Sequence, residues 1–199
     1  MATIGLSKPY FAVYSASGST VSYASGAMMG KATEANIEID TTEDNNLYAD
    51  NGIAETDRTF AGGTLTLSTD DLSQEVSKAI LGLAEQEITG IDGVTDTSVK
   101  ELLYDEQQQT PYLGVGFIIK KKVGGVYKWR GVILTKVMFS TPADAATTQG
   151  ETIEWQTPEL SATIMRDDST THMWKREATF TSEAQAEAYI KARLGITAA

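Results

Sequence analysis

Cysteine is absent from the sequence, and histidine occurs only once, as His172. Without cysteine the chain cannot form disulfides, thiolate zinc sites, iron–sulfur clusters or a cysteine nucleophile. A single histidine also excludes a histidine-rich metal site. We therefore expect neither a metal nor a cofactor.

Basic residues are scarce as well. Sixteen Lys and Arg residues stand against 27 Asp and Glu residues, which gives a formal charge of −11. DNA and anionic membranes should repel such a chain as equilibrium partners. No apolar run approaches the ~20 residues of a membrane helix, and the N-terminal segment lacks the basic start and apolar core of a secretory signal. We therefore expect a soluble protein that is made in a cytoplasm and has no membrane partner.

The length and composition predict one domain over residues 1–199. A chain of 199 residues, 41% of them hydrophobic, can build one large core, and surface-to-volume scaling favours this over two small cores. Thr, Ser, Val, Ile and Gly are plentiful and only four prolines occur, which is typical of short strands between turns. We predict an α+β domain that is mainly antiparallel β-sheet.

The clearest strand pattern covers residues 34–39. Its side chains alternate between an apolar and a polar set, Ala35, Ile37 and Ile39 against Glu34, Asn36 and Glu38. Such a strand has one buried and one solvated face. Glu34 and Glu38 lie about 13 Å apart along a strand, beyond the separation of the paired carboxylates in glycosidases. We interpret them as part of a charged surface.

Caps and apolar stripes predict the helices. A first helix follows Asp71 as its cap, and Gly82 terminates it. A second helix covers about residues 183–194, capped by Ser182. A further short helix is predicted near residues 99–104.

Residues 40–59 form an unusually long polar stretch that is predicted to be a loop. Loops near twenty residues are uncommon inside compact domains and are usually functional or mobile. Leu47, Tyr48 and Ile53 lie in this stretch without a core of their own. The apolar residues indicate that the loop buries itself against something, such as a neighbouring molecule.

Gly124-Gly125 predicts a tight hairpin turn between strands at 114–122 and 126–135. This hairpin concentrates basic residues against the acidic trend of the chain: Lys120, Lys121, Lys122, Lys128 and Arg130. Residues 151–157 alternate again and predict another strand.

Motifs for catalysis or ligand binding are weak. A Ser-His-Asp arrangement around His172 stays open, but no Gly-x-Ser-x-Gly elbow accompanies it, and a solvent-facing loop histidine is favoured. Residues 26–31 fall one residue short of a phosphate loop, and Ala32 stands where magnesium needs a hydroxyl. The Gly-x-Gly at 114–116 lacks a third glycine, and the alternating oxygens at 40–46 lack the glycine and glutamate of a calcium loop. No catalytic residue is predicted, which favours a binding or structural protein.

Several segments occur in a distinctive order over roughly residues 6–194. They are Leu47-Tyr48-Ala49-Asp50-Asn51, Gly62-Gly63-Thr64-Leu65, Pro111-Tyr112-Leu113-Gly114-Val115-Gly116-Phe117, the lysine-rich hairpin, Glu151-Thr152-Ile153-Glu154-Trp155-Gln156-Thr157-Pro158 and the terminal Ser182-Glu183-Ala184. In this order they resemble the major tail protein of long-tailed, non-contractile bacteriophages (siphophages), which builds the tail tube.

The resemblance implies a β-sandwich or half-barrel, the tail-tube fold, with a flanking helix, a C-terminal helix and a long inter-strand loop. It implies hexameric rings that stack into a tube for genome delivery, located in the virion and synthesised in the bacterial host cytoplasm. The implied partners are further copies of the chain and the tape-measure, terminator and distal tail proteins at the tube ends. DNA would be present only in transit.

The same resemblance suggests three groups of site residues. The long loop would contact a neighbouring subunit or ring through Asp44, Asn45, Leu47, Tyr48, Asp50 and Asn51. We hypothesise that Glu34, Asn36 and Glu38 face the lumen, where negative charge lets DNA slide, and the outside of the tube is the alternative position for Glu34 and Glu38. The basic hairpin residues would pair with acidic loops across interfaces.

A domain of this length has a radius of gyration of roughly 16 Å, so a DNA-wide conduit needs a ring of several copies.

Two other classes of protein stay open. A small-ligand-binding β-barrel predicts a monomer with an apolar pocket. A capsid or surface decoration protein predicts a monomer or trimer that forms no tube. An enzyme ranks below both.

Overall fold

The computed structural model of the chain describes residues 2–96, 98–143, 146, 148 and 157–197. Within these residues the chain forms twelve strands and two helices. In chain order they are β1 (Ala2–Ser17), β2 (Thr20–Met28), β3 (Ala32–Thr41), β4 (Asn45–Ala49), β5 (Gly52–Asp57), β6 (Phe60–Thr69), α1 (Gln74–Leu81), β7 (Ala84–Glu87), β8 (Lys100–Leu103), β9 (Leu113–Val123), β10 (Val126–Phe139), β11 (Glu159–Met165), β12 (Lys175–Phe180) and α2 (Glu183–Arg193). The predicted class, α+β and mainly antiparallel β, is confirmed. The strand predicted over 151–157 falls almost entirely outside the described residues.

One large antiparallel sheet forms the centre of the fold. Its strand order is β2-β1-β9-β10-β11-β6-β3, and β12 also pairs with β10. The long strand β10 pairs with β9 along one edge. Along its other edge, β12 pairs with Trp129–Leu134 and β11 pairs with Lys136–Phe139. The two halves of the sheet are therefore joined through β10.

Thr135 lies where the second edge of β10 changes from one partner strand to the other. The residue is buried, and its polar groups are all bonded. Its N–H donates to the Trp174 carbonyl at 3.1 Å, and its hydroxyl donates to the Met173 carbonyl at 2.7 Å. The Tyr23 hydroxyl donates to the Thr135 carbonyl at 2.8 Å, and burial raises the pKa of this phenol. These bonds replace the ladder bonds that the change of partner removes.

The sheet has an apolar core on each side. Along β9, Leu113, Val115 and Phe117 enter the first core with α1, and Ile118 enters the second core with α2. This alternation follows from the two-residue period of a strand. Side chains of β1 and of β6 share the first core although the strands are far apart in the sheet order, so the sheet curves around that core.

Glycines allow α2 to lie close to the sheet. A Cβ atom added at Gly114 would come within 2.8 Å of Leu194, and one at Gly116 within 2.6 Å of Ile190. Both distances are shorter than carbon atoms tolerate, so the helix can pack here only because the strand lacks side chains. The Gly-x-Gly pair therefore serves helix packing.

The predicted ends of the helices are partly corrected. Ser73, not Asp71, caps α1, because the Asp71 carboxylate instead accepts the N–H of Leu72 at 2.8 Å. Gly82 ends α1 in the left-handed conformation, as predicted. Helix α2 has its predicted Ser182 cap and runs over Glu183–Arg193.

The helix predicted near residues 99–104 is wrong. Residues Lys100–Leu103 form β8, which pairs with β7. Leu102 packs against the first core while Glu101 and Leu103 are exposed. A two-residue alternation this short is indistinguishable from one turn of an amphipathic helix in the sequence alone.

Glu187 anchors α2 to the first strand. Its carboxylate accepts hydrogen bonds from Lys191 at 2.8 Å, from Lys8, and from the Tyr10 hydroxyl at 2.7 Å. The Lys191–Glu187 pair has the four-residue spacing that stabilises a helix. The hydrogen bonds that Glu187 accepts from Lys191, Lys8 and Tyr10 lower the pKa of its carboxyl to about 2.

We predict that Gly116→Ala destabilises the protein by about 1–3 kcal/mol, because the new methyl group overlaps Ile190 under α2. Urea unfolding measures this change. Gly62→Ala is the matched control, since its nearest neighbour would lie at an ordinary 3.8 Å. Equal free energies of unfolding for the two variants would contradict the packing argument.

We also predict that Glu187→Gln lowers the free energy of unfolding at neutral pH. The difference in this free energy between the variant and the wild type should narrow as the pH falls from about 4.5 towards 2. The folded-state pKa of Glu187 is depressed, so its contribution is complete above the ordinary pKa of 4.5 and is lost as the folded carboxylate becomes protonated. Urea unfolding across this pH range tests the prediction. A difference that stays constant down to pH 2 would be inconsistent with it.

Candidate assembly surfaces

Residues 42–59, here called the arm, form a β-hairpin and not the predicted loop. Strands β4 and β5 pair with each other and are joined by Asp50 and Asn51. Both turn residues have positive φ, 49° and 62°, as a two-residue type I′ turn requires. The arm continues the β3–β6 ribbon outwards, since Thr42 N–H donates to the Thr59 carbonyl at 2.9 Å.

Ion pairing and hydrogen bonding across the arm account for its alternating oxygens. The Arg58 guanidinium donates to both carboxylate oxygens of Asp44, at 2.5 and 2.6 Å, and this pairing lowers the pKa of Asp44. Thr56 donates to the Asn46 side chain at 2.8 Å. Asp44 and Asn46, two of the alternating residues that resembled part of a calcium loop, therefore bond to residues across the arm.

The arm exposes large apolar side chains. Leu47 is 59% exposed, Tyr48 65% and Ile53 58%. Leu47 lies opposite Glu55, and Tyr48 lies opposite Ile53. Because cross-strand partners share a face, one side of the arm combines Leu47 with a carboxylate, and the other side carries the apolar pair Tyr48 and Ile53. The hydrogen-bonded pair of Asn46 and Thr56 lies on this second side as well.

The arm is strongly acidic. It carries five acidic side chains and one basic one, which gives a formal charge of −4. Asp44 is paired with Arg58. Asp57 stands opposite Asn45 and therefore on the same side as Glu55 and Leu47.

The predicted lumen residues lie on strand β3 at one edge of the sheet. Glu34, Asn36 and Glu38 are exposed, and the Asn36 amide donates to Glu38 at 3.1 Å. Ala35 and Ile37, on the other side of the strand, pack against the first core. The predicted alternation of this strand is confirmed.

The polar side of β3 continues across its neighbours as a hydroxyl face. Opposite Glu34, Asn36 and Glu38 stand side chains of β6, and beyond these stand side chains of β11. The members from these two strands are Thr64, Thr66, Ser68, Thr163, Ser161 and Glu159. Of these, Ser68 is buried. Sequence reasoning missed this continuity, because it depends on which strands become neighbours.

The five predicted basic residues are divided between the two sides of the β9–β10 hairpin. Lys120 lies 4.5 Å from the ring centroid of Tyr127 and 5.8 Å from that of Trp129. Lys122 lies 5.7 Å from the Tyr127 centroid. These two lysines therefore make cation–π contacts within their own chain.

The other side of this hairpin, here called the basic face, combines Lys121, Val123, Val126, Lys128 and Arg130. Lys128 stands directly opposite Lys121, and Val126 directly opposite Val123. Burial and the nearby Arg130 lower the pKa of Lys121. Like charges placed directly opposite each other destabilise a strand pair, so an anion on this face would be favourable.

Strand β12, which the sequence reasoning missed, adds charged side chains beside the basic face. Glu177 lies 2.8 Å from Lys175 and 3.6 Å from Arg130. The Arg130 Nε atom is buried and has no hydrogen-bond partner among the described residues. The charged sequence of β12, Lys175-Arg176-Glu177, hid its strand character.

His172 is an exposed loop residue with φ of 48°, in agreement with the favoured interpretation. Its Nδ1 lies 3.2 Å from the Asp167 carbonyl. The nearby Ser169 hydroxyl donates to the Asp167 carboxylate at 2.5 Å. In the described part of the chain, no hydrogen bond joins Ser169 to the His172 ring, so these residues lack the serine–histidine contact of a triad.

The described residues bring together no group of three or more His, Asp or Glu side chains suited to a metal ion. None of the helices found in the described ranges is long and apolar enough to cross a membrane. A cleft of about 390 Å³ lies between α1 and the β7–β8 hairpin, where Glu85 pairs with Lys78 and Lys100. These internal ion pairs hold the hairpin against the helix.

We predict that Asn51→Ile unfolds the arm and leaves the rest of the fold unchanged. A β-branched residue is strained at φ of 62°, and a two-stranded hairpin alone is marginally stable. Hydrogen exchange should show faster exchange of arm amides, with a global free energy of unfolding within about 0.5 kcal/mol of the wild type. Asn51→Gly is the matched control and should keep the arm protected. A large global loss in Asn51→Ile would show that the arm supports the core.

No protein-family model matches the chain, and no curated protein matches it. The arm, the hydroxyl face and the basic face are therefore the features from which a function can be argued.

Proposed function

We propose that this chain is the subunit of a bacteriophage tail tube, of the long-tailed, non-contractile kind. In this proposal copies of the chain form hexameric rings, and the rings stack into the conduit for the genome. The partners are other copies of the chain, with tape-measure, terminator and distal tail proteins at the tube ends. The protein would be synthesised in the bacterial host cytoplasm and located in the virion.

The arm is the observation that carries this proposal. It extends the β3–β6 ribbon, and apart from Asn46 its strand residues are exposed. Tyr48 and Ile53 place an apolar pair on one of its sides. A marginal hairpin that exposes apolar side chains gains stability when a partner covers it. A subunit of a polymer provides such a partner in the next copy.

The hydroxyl face supports the conduit part of the proposal. Its side chains are mainly Ser and Thr, and its charged members Glu34, Glu38 and Glu159 are all acidic. A phosphate backbone finds no cation among these side chains to bind. A lumen lined by this face would therefore let DNA pass without adhering.

The curved sheet supports the proposed fold type. A sheet that wraps one core with α1 and carries α2 on its other side is compatible with a half-barrel or sandwich with a flanking helix. Among the described strands, β2 and β3 stand at opposite ends of the strand order, and each has one edge without a strand partner there. Two different edges allow head-to-tail association, which closes into rings or continues as a fibre.

Negative-stain electron microscopy of the purified protein across a concentration series tests the proposal. Rings or tubes with a central channel are the expected result, and their symmetry can then be counted. A strictly monomeric protein at high concentration would contradict the proposal and favour a ligand-binding barrel. A defined trimer without tubes would favour a decoration protein.

We predict that Ile53→Ser impairs assembly but not the folding of the monomer, because Ile53 is exposed in the single chain and would be covered in the tube. Ile91→Ser is the matched control, since Ile91 is also 58% exposed but lies outside the arm. Sedimentation and hydrogen exchange provide the measurements. Wild-type arm amides should become protected on assembly, and normal tubes from Ile53→Ser would argue against the arm as a contact.

A further inference from the structure

We propose that the acidic side of the arm of one copy binds the basic face of a second copy. The proposal rests on the proposed function, because it requires copies of the chain to assemble. It selects one side of the arm and one side of the β9–β10 hairpin as partners. These are two different patches, so each copy can offer its arm to one neighbour and its basic face to another.

The basic face has an excess of positive charge within its own chain. Lys121 and Lys128 oppose each other across the hairpin, and Arg130 follows on the same side. Glu177, the acidic residue beside them, already pairs with Lys175 at 2.8 Å and with Arg130 at 3.6 Å. An external carboxylate would therefore relieve the repulsion between the two opposed lysines.

The other side of the hairpin is less suited to an acidic partner. Lys120 lies over the rings of Tyr127 and Trp129, and Lys122 lies over the ring of Tyr127. A carboxylate would have to compete with these aromatic contacts. The structure thus divides the basic cluster of the sequence. Lys120 and Lys122 make aromatic contacts within the chain, whereas Lys121 and Lys128 oppose each other on the other side of the hairpin.

The acidic side of the arm matches the basic face in both charge and apolar character. Glu55 and Asp57 occupy alternate positions of β5, with Leu47 opposite Glu55. On the hairpin, Lys128 and Arg130 likewise occupy alternate positions of β10. Alternate residues of a strand lie about 7 Å apart, so the two carboxylates of the arm and these two basic side chains have the same spacing.

The apolar residues on the two surfaces are accessible in the single chain. Val126 is 58% exposed and Val123 is 37% exposed at the tip of the hairpin, and Leu47 is 59% exposed on the arm. Contact between Leu47 and the valine pair would remove apolar surface from water while the carboxylates meet the lysines. Charge would then fix the register, and apolar contact would add affinity.

Site-directed cross-linking tests the proposal directly, because the natural chain has no cysteine. Assembled mixtures of the single variants Glu55→Cys and Lys128→Cys are treated with a short bis-maleimide. A covalent dimer is expected from this pair. The control pair is Glu55→Cys with Lys122→Cys, which places the second thiol on the opposite side of the same hairpin and should give far less dimer.

A charge exchange provides the second measurement. Lys121→Glu/Lys128→Glu should raise the protein concentration needed for assembly by about tenfold or more, and adding Glu55→Lys/Asp57→Lys should reverse most of this effect. Lys120→Glu/Lys122→Glu controls for the change in net charge. The thermal unfolding midpoint of each monomer shows whether the variant has folded.

The outcomes separate this inference from the proposed function. Rings or tubes that give no dimer with Glu55→Cys and Lys128→Cys, and that tolerate the charge reversal, overturn the arm contact and leave the tube subunit standing. A wild-type protein that never assembles overturns both. A dimer in the first pair but not in the control, with rescue by the charge exchange, supports the contact.

Discussion

The change of partner along β10 is the constraint on which the rest of the architecture depends. One edge of this strand pairs first with β12 and then with β11. Between the two partners the backbone has no ladder hydrogen bonds, and a buried backbone group without a hydrogen bond lowers stability. Thr135, with Tyr23 and the carbonyls of Met173 and Trp174, supplies the missing bonds. The second half of the sheet, with β11, β6 and β3, attaches to the first half through this point. The hydroxyl face and the arm are parts of that second half.

The fold separates what holds the monomer together from what is left for a partner. Gly114 and Gly116 let α2 cover the centre of the sheet, and Glu187 joins that helix to β1. These contacts are internal and close-packed. The arm has exposed apolar side chains and an acidic excess, and the basic face has opposed lysines. A surface substitution in the arm can therefore change association without changing the folding of the core, which is the basis for separating the two in experiments.

The sequence predicted those features that local rules determine. The alternation of residues 34–39, the Gly124-Gly125 turn and the Ser182 cap each depend on a few neighbouring residues, and all three are confirmed. The arm was predicted as a loop because both of its sides are exposed, which removes the alternation that identifies a half-buried strand. Strand β12 was missed for a similar reason, since charged residues occupy it. The hydroxyl face needed the order of β3, β6 and β11, which the sequence does not contain.

The charges of the chain have opposite consequences at long and at short range. Each copy carries a formal charge of −11, so two copies repel each other before contact, although salt at physiological strength screens this beyond about 8 Å. Attraction between copies must then come from local complementarity. In the proposed contact, the acidic side of the arm meets the basic face, and the valine pair at the hairpin tip meets Leu47. In this proposal, repulsion elsewhere would disfavour other registers, so an acidic chain that concentrates basic side chains on one side of a hairpin would associate in one specific arrangement.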